Sequence, residues 1–330
     1  SDADGAGRLG KVTRARRVAA AALCSAALLA GCTPAPAVPT SQTSATTPAA
    51  SATPSPALDL TEPGVARAMV RQLVAASGST QVLLVDIRRH EASVSVLSDG
   101  KPHTWAYREG TIREVSSDMA YVDQATFDPD AFDLSDVGAL FRAAAAVSGS
   151  EQSQELQIVD LRRVEHSALE LKMSVATNPE TRTVFFNPDG SLVPTLDFNT
   201  AGGITSGLAD AVGSHTTVTS VTIGSATGAF IEYPLDSSTI VRRIRSAKIP
   251  VTDVPRSAGG DKPTAFDPRL VDPAIVWRVL QRYAATGAFG PTTTWSVVAD
   301  IRGTTTQPRL RFTVGQARLV TDLAGNEISE

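Results

Sequence analysis

The sequence predicts an α+β fold: four helix-plus-antiparallel-sheet units arranged as two αβ-sandwich halves. Three observations point there. Asp86-Ile87-Arg88, Asp160-Leu161-Arg162 and Asp300-Ile301-Arg302 each close a strand-like run, at spacings of 74 and 140 residues. Phe127-Asp128-Pro129 and Phe266-Asp267-Pro268 recur 139 residues apart, and Leu58-Asp59 and Leu196-Asp197 recur 138 apart. Each member of these last two pairs precedes a helical pattern that runs on into β-branched stretches. Registers that agree over such distances mark an internal repeat. The units start near Leu58, Phe127, Leu196 and Phe266, giving halves 58–195 and 196–330.

Each unit opens with a helix. Val65, Met69, Val70, Leu73 and Val74 share one face at helical spacing. Asp59 or Thr61 is placed to cap that helix, with Pro63 in its first turn. Val137, Leu140, Phe141, Ala144 and Ala145 form the second stripe, after a cap at Asp133 or Ser135. The third helix, Ile204 to Val212, is short and rich in glycine. The fourth carries Ile275, Val276, Val279, Leu280 and Tyr283, with Asp272 as cap and Pro273 in its first turn. Gly78, Gly149 and Gly287 follow three of the helices, as helix C-termini favour.

Strands follow each helix. In the first unit they are Gln81–Arg88, Val94–Leu97, Thr104–Tyr107 and Thr111–Val115, the last two joined at Glu109-Gly110. The second unit has Leu156–Leu161, Leu169–Val175 and Thr183–Phe186, ending in the turn Asn187-Pro188-Asp189-Gly190. The third has Val218–Ile223, Ala229–Tyr233 and Thr239–Ile244. The fourth has Thr294–Ile301, Pro308–Val314 and Ala317–Thr321. The stretch 251–265, with Pro255, Gly259, Gly260 and Pro263, reads as an exposed loop. The helix-then-strands order with this turn resembles small envelope modules such as PepSY-like or cystatin-like repeats, over about 60 residues per unit. The resemblance is one of topology, and it implies binding, inhibitory or assembly roles.

The N-terminus has a different character. Arg8, Lys11, Arg14, Arg16 and Arg17 precede the apolar run Val18–Gly31, and Leu29-Ala30-Gly31-Cys32 closes it. That run is too short to span a bilayer, which needs about 20 residues, and has the layout of a signal segment. The motif resembles the lipobox of bacterial lipoproteins, with a composition similar to those of GC-rich actinobacteria. The resemblance implies removal of residues 1–31 and lipidation of Cys32, which would hold the protein on the outer side of the cell membrane by its acyl chains. Residues 32–57 then form a tether that after Cys32 holds only Ser, Thr, Pro and Ala with one Val and one Gln, without a charge and too poor in apolar surface to order itself.

Composition narrows the function. The chain has two cysteines, Cys24 and Cys32, so the folded part has neither a disulfide nor a cysteine-based metal site. Its formal charge is −4. Residues 1–31 hold five basic and two acidic residues, and removing their +3 leaves −7. A mildly acidic domain is a poor partner for nucleic acid. No catalytic or cofactor motif occurs, and no enzyme activity, cofactor or metal is expected. His90, His103, His166 and His215 are scattered. Arg88, Arg89, Arg162, Arg163 and Arg302 have two readings: contact with an anionic partner through their forks, or pairing with Asp86, Asp160 and Asp300 along a strand edge, which carries more weight. In Arg242-Arg243-Ile244-Arg245, the alternation suggests a strand face turned to solvent. Trp277, Tyr283 and Trp295 are placed as core packing. The functional expectation is a lipid-anchored, non-catalytic binding or assembly module for an envelope protein, peptide or wall polymer. The alternative is a lipid or glycolipid carrier, with an apolar cavity between helix and sheet.

Overall fold

The computed structural model describes residues 57–117, 119–121, 124–160, 171–259 and 263–329. The lipobox residues Leu29, Ala30, Gly31 and Cys32, the predicted tether up to residue 56, and Arg162, Arg163 and His166 lie outside the described residues. Among the described residues the architecture is α+β, with four α-helices and two seven-stranded antiparallel sheets.

In the first half, α1 (Val65–Ser77) is followed by β1 (Val82–Ile87), β2 (Ala92–Ser98), β3 (Lys101–Arg108) and β4 (Thr111–Val115). Then come α2 (Val137–Ser148), β5 (Glu155–Val159), β6 (Met173–Ala176) and β7 (Val184–Phe186). The second half repeats the order with α3 (Ala201–Val212), β8 (Ser220–Gly224), β9 (Gly228–Pro234), β10 (Thr239–Arg245) and β11 (Thr252–Ser257). It continues with α4 (Pro273–Ala285), β12 (Trp295–Asp300), β13 (Arg309–Val314) and β14 (Ala317–Thr321). The sheets run β4-β3-β2-β1-β5-β6-β7 and β11-β10-β9-β8-β12-β13-β14. Each four-strand unit therefore joins its three-strand partner through their first strands, β1 to β5 and β8 to β12. One unit alone would leave its first strand as an open edge; pairing closes it.

Two separate cores result. Leu60, Met69, Leu73, Val85, Ile87, Leu156, Ile158 and Phe186 anchor the first. Ile204, Ile223, Ile231, Val276, Leu280, Trp295, Val297 and Phe312 anchor the second, with Trp277 and Tyr283 packed against it. Each fully buried Leu, Ile or Val contributes roughly 1.5–3 kcal/mol by leaving water, so the apolar stripes of the helices are the main cohesive element. The Ala-rich stretch of α2 packs close to its sheet, with Ala144 buried.

The recurring tripeptides have structural roles. Phe127 and Phe266 form bridges to Val82 and Val218, the strand entries of the two halves. Asp128 and Asp267 cap the 3-10 turns Pro129–Ala131 and Pro268–Leu270 by accepting from the amide two residues on. Asp59 and Asp197 accept from Thr61 N and Asn199 N in the same local turn.

Four expectations change. Asp59 and Thr61 do not cap α1: its N-cap is Gly64, at φ +80°, with no side-chain cap. The cap of α2 is Asp136, while Asp133 accepts from the Ser135 amide and hydroxyl. The stretch 251–265 is not all loop, because Thr252–Ser257 pairs with β10 as an edge strand. Proline is tolerated at such an edge, where its missing N–H faces away from the ladder. The Arg-rich strand β10 does not turn to solvent as one face: Arg245 is 1% exposed. The glycines of α3 also gain a reason. A Cβ on Gly203 would meet the Asp197 carbonyl at 1.8 Å, and one on Gly207 would meet the Phe198 ring at 2.4 Å.

Candidate functional site

The local chain geometry of the first half creates an open cleft where β1 leaves the sheet and β5 enters it. Ile87 pairs with Leu156 there, so the turn after β1 and the segment before β5 lie side by side. The cleft has a volume of about 890 Å³, and Arg88, Arg89, His90, Glu91, Phe141, Arg142, Glu151, Ser153, Gln154, Glu155 and Asn178 line it with Thr61 and Gly138. Gly138 lets α2 approach closely: a Cβ there would lie 2.4 Å from the Thr61 carbonyl.

Part of the lining is held by internal bonds. Arg88 donates to Glu155 at 2.9 Å and lies 3.9 Å from Asp86. Arg89 pairs with Asp59 at 2.9 Å. The Thr61 hydroxyl, helped by the Thr61 amide and Arg89, holds the Asp59 carboxyl down at about 2 against the opposing effect of burial. His90 Nδ1 contacts the Leu58 carbonyl at 3.1 Å. Gln154 donates to the Phe141 carbonyl, tying the segment before β5 to α2. These bonds fix the floor.

Behind the cleft sits a carboxylate pair on the outer face of the sheet. Val85 and Ile87 point into the core, so Asp86 between them points away. Gln157 Nε2 donates to Asp86 at 3.2 Å and to Glu155 at 2.7 Å. Burial pushes the Asp86 carboxyl up to about 7, and the neighbouring Glu155 adds to that rise. Glu155 moves the opposite way: the hydrogen bond from Asp86 and the Arg88 charge hold it below its ordinary value. Two carboxyls this close share one proton more easily than they carry two charges. A recess of about 40 Å³ lined by Asp86, Arg88, Glu91, Ser93 and Arg108 opens on the same face.

The arginines singled out in the sequence do not form one group. Arg88 and Arg89 follow β1 of the first sheet and line the cleft. Arg302 follows β12 of the second sheet and pairs with Asp300 at 2.7 Å. The three aspartates are not equivalent either. Asp86 and Asp300 are partly exposed, whereas Asp160 is 2% exposed and accepts from the Ala125 amide. Of the histidines, His103 pairs with Glu114 and His215 stacks on Tyr233 with ring centroids 4.3 Å apart. Glu151, Ser153 and Asn178 carried no sequence signal. They reach the cleft only because β5 and β6 are sheet neighbours.

The second half carries its charge differently. Glu232 is clamped by Arg242 at 2.7 Å and Arg256 at 3.0 Å, and Arg242 also lies over the Phe230 ring. Asp253 pairs with Arg243 at 3.5 Å. Burial, with Asp253 nearby, pushes the Tyr233 hydroxyl up to about 12. Among the described residues, no group of three or more His, Cys, Asp or Glu is placed to hold a metal ion, and no helix is long and apolar enough to cross a membrane. In comparisons with known proteins, no family model and no curated protein matches this chain.

Proposed function

We propose that this protein is a lipid-anchored extracytoplasmic module that binds an envelope protein, peptide or wall component without catalysing a change in it. The observation that supports this most is the open polar cleft of the first half. It stands on a packed scaffold, and its floor is held by the Arg88–Glu155 and Arg89–Asp59 ion pairs and by Gln154. Side chains already locked by packing and hydrogen bonds are what a preorganised binding surface requires. The lipobox motif supplies the anchor in this reading, and the Ser/Thr/Pro-rich stretch supplies reach. The helix–sheet interfaces favour a binding module over a lipid carrier. The space a carrier would keep for an acyl chain is filled by Met69, Leu73, Phe141 and Ala144 in one half and by Ile204, Val276 and Leu280 in the other.

Two measurements on the full chain test this. Cys32→Ala should release the protein from membranes with its fold intact by circular dichroism. A variant that stays membrane-bound defeats the anchor. Native mass spectrometry of protein taken gently from its own membranes should show no lipid or glycolipid beyond the anchor. A stoichiometric extra lipid that denaturation strips off would replace this reading with the carrier.

A further inference from the structure

The side chains at the cleft that make no internal hydrogen bond among the described residues indicate what the cleft takes, given that it is a binding site as proposed above. Glu151, the Ser153 hydroxyl and the Asn178 amide line it, and among the described residues no hydrogen bond or ion pair engages their side chains. Arg142 is 72% exposed and only 3.7 Å from Asp136, too long for a hydrogen bond. Glu91 stands likewise, 3.6 Å from Arg108, so the groups left without a hydrogen bond are two carboxylates, one guanidinium, one hydroxyl and one carboxamide. We propose that the cleft binds a short extended peptide carrying both a cationic and an anionic side chain.

The chemistry of each open group leads to that class. Glu151 calls for an ammonium or guanidinium. The Arg142 fork calls for a carboxylate, which it can meet bidentately. Ser153 and Asn178 each both donate and accept, which matches the alternating N–H and C=O of a peptide backbone. The full lining agrees, since Arg88, Arg89 and Arg142 stand against Glu91, Glu151 and Glu155. A polyanion would meet three carboxylates. A neutral glycan would strip water from Glu151 and Arg142 without replacing it by opposite charge, which is costly. The volume, about 890 Å³, falls within the range of about 300–1,000 Å³ found for small-ligand sites. Ser153 also sits at φ +44°, in the left-handed region that a serine seldom occupies. Backbone of this kind costs energy and tends to occur where a binding site needs a particular geometry.

The test is affinity selection on the immobilised full chain. Four pools of end-blocked pentapeptides serve as probes: with Lys and Glu, with Lys alone, with Glu alone, and uncharged. Inorganic polyphosphate and the N-acetylglucosamine tetramer are titrated separately. The pool with both charges should be enriched most. Glu151→Gln should lower retention of its Lys-bearing members, and Arg142→Gln that of its Glu-bearing members. Each loss should be about tenfold, as expected of one charge-assisted hydrogen bond. Both substitutions are at exposed positions, and unchanged thermal unfolding confirms that the fold is kept. If polyphosphate or the glycan binds and the peptides do not, the peptide assignment is overturned while the binding-module reading stands. Equal retention of all four pools, or none, also overturns it. Stoichiometric lipid in the native mass spectrum is the separate result that would remove the binding-module reading itself.

Discussion

The same sheet position is filled by Tyr107 in the first half and Arg245 in the second, and the contrast shows how one scaffold tolerates two chemistries. Tyr107 faces Ala92 across β2 and β3, as Arg245 faces Ala229 across β9 and β10. Both are almost fully buried, and both clamp the segment that leads into their half. The Tyr107 hydroxyl accepts from the Leu58 amide at 3.1 Å. Arg245 donates to the Pro194 carbonyl at 2.7 Å, to the Asp210 carboxylate at 2.9 Å, and to the carbonyls of Ser246 and Ile249. A phenol needs one partner for its polar tip, whereas a buried guanidinium needs its whole fork occupied. The first half thus uses a mainly apolar plug and keeps its open charges at the cleft. The second half directs its charge inward.

The largest expected effect in this comparison is at Arg245. Arg245→Met leaves Asp210 and three carbonyls without their donor, and should cost about 3–5 kcal/mol in urea unfolding. Tyr107→Phe, at the opposite end of the scale, removes one hydrogen bond and should cost about 1 kcal/mol. Equal losses would mean that the two clamps are energetically alike.

The helix entries offer a second contrast. α2 begins Val137-Gly138 where α4 begins Pro273-Ala274. Gly138→Ala should cost about 1–3 kcal/mol, because the added methyl meets the Thr61 carbonyl. A neutral result would show that the loop before α1 moves aside freely. The same variant should weaken any ligand of the cleft that Gly138 lines.

The outer sheet faces differ in titration. Asp86 and Gln157 are cross-strand partners in the first sheet; Thr222 and Val298 are the corresponding pair in the second. The folded Asp86 carboxyl, at about 7, holds a proton that the unfolded chain has released above its usual 3.8. Its contribution to stability therefore falls as pH rises from about 4 to 7. Glu155 shifts the other way, and its contribution is lost only as pH falls through its lowered range. The groups facing Asp86 are Arg88, Glu91, Ser93, Arg108, Glu155 and Gln157. Asp86→Asn should be close to neutral at pH 5 and stabilising at pH 8, by roughly 1–2 kcal/mol. Urea midpoints at the two pH values check this, and a variant equally destabilised at both would show that Asp86 is needed as a charge.

The helices and most strands were legible because their apolar residues follow simple periods. The stripes at 65–74, 137–145 and 275–283 needed only helical spacing. Asp272 followed by Pro273 fixed the start of α4, and it is the cap observed. Edge strand β11 was hidden by its proline. The burial of Arg245 was hidden because its partners come from positions 194, 210, 246 and 249, each unremarkable alone. For the site, the sequence pointed to Arg88 and Arg89. It could not supply Glu151, Ser153 or Asn178, which β-pairing brings to the same end of the sheet.

Local patterning was sufficient to specify the α+β class and the four helix-led units, because side chains repeating every two or 3.6 residues select strand or helix wherever one face must leave water. The duplication was legible in the Phe-Asp-Pro, Leu-Asp and Asp-x-Arg segments that recur in matching register. The joining of units through β1–β5 and β8–β12, the choice of tyrosine or arginine as clamp, and the company of groups around the cleft came from long-range packing. Those outcomes depend on which distant carbonyls, carboxylates and amides are brought within about 3 Å of one another, a distance that no spacing along the chain encodes.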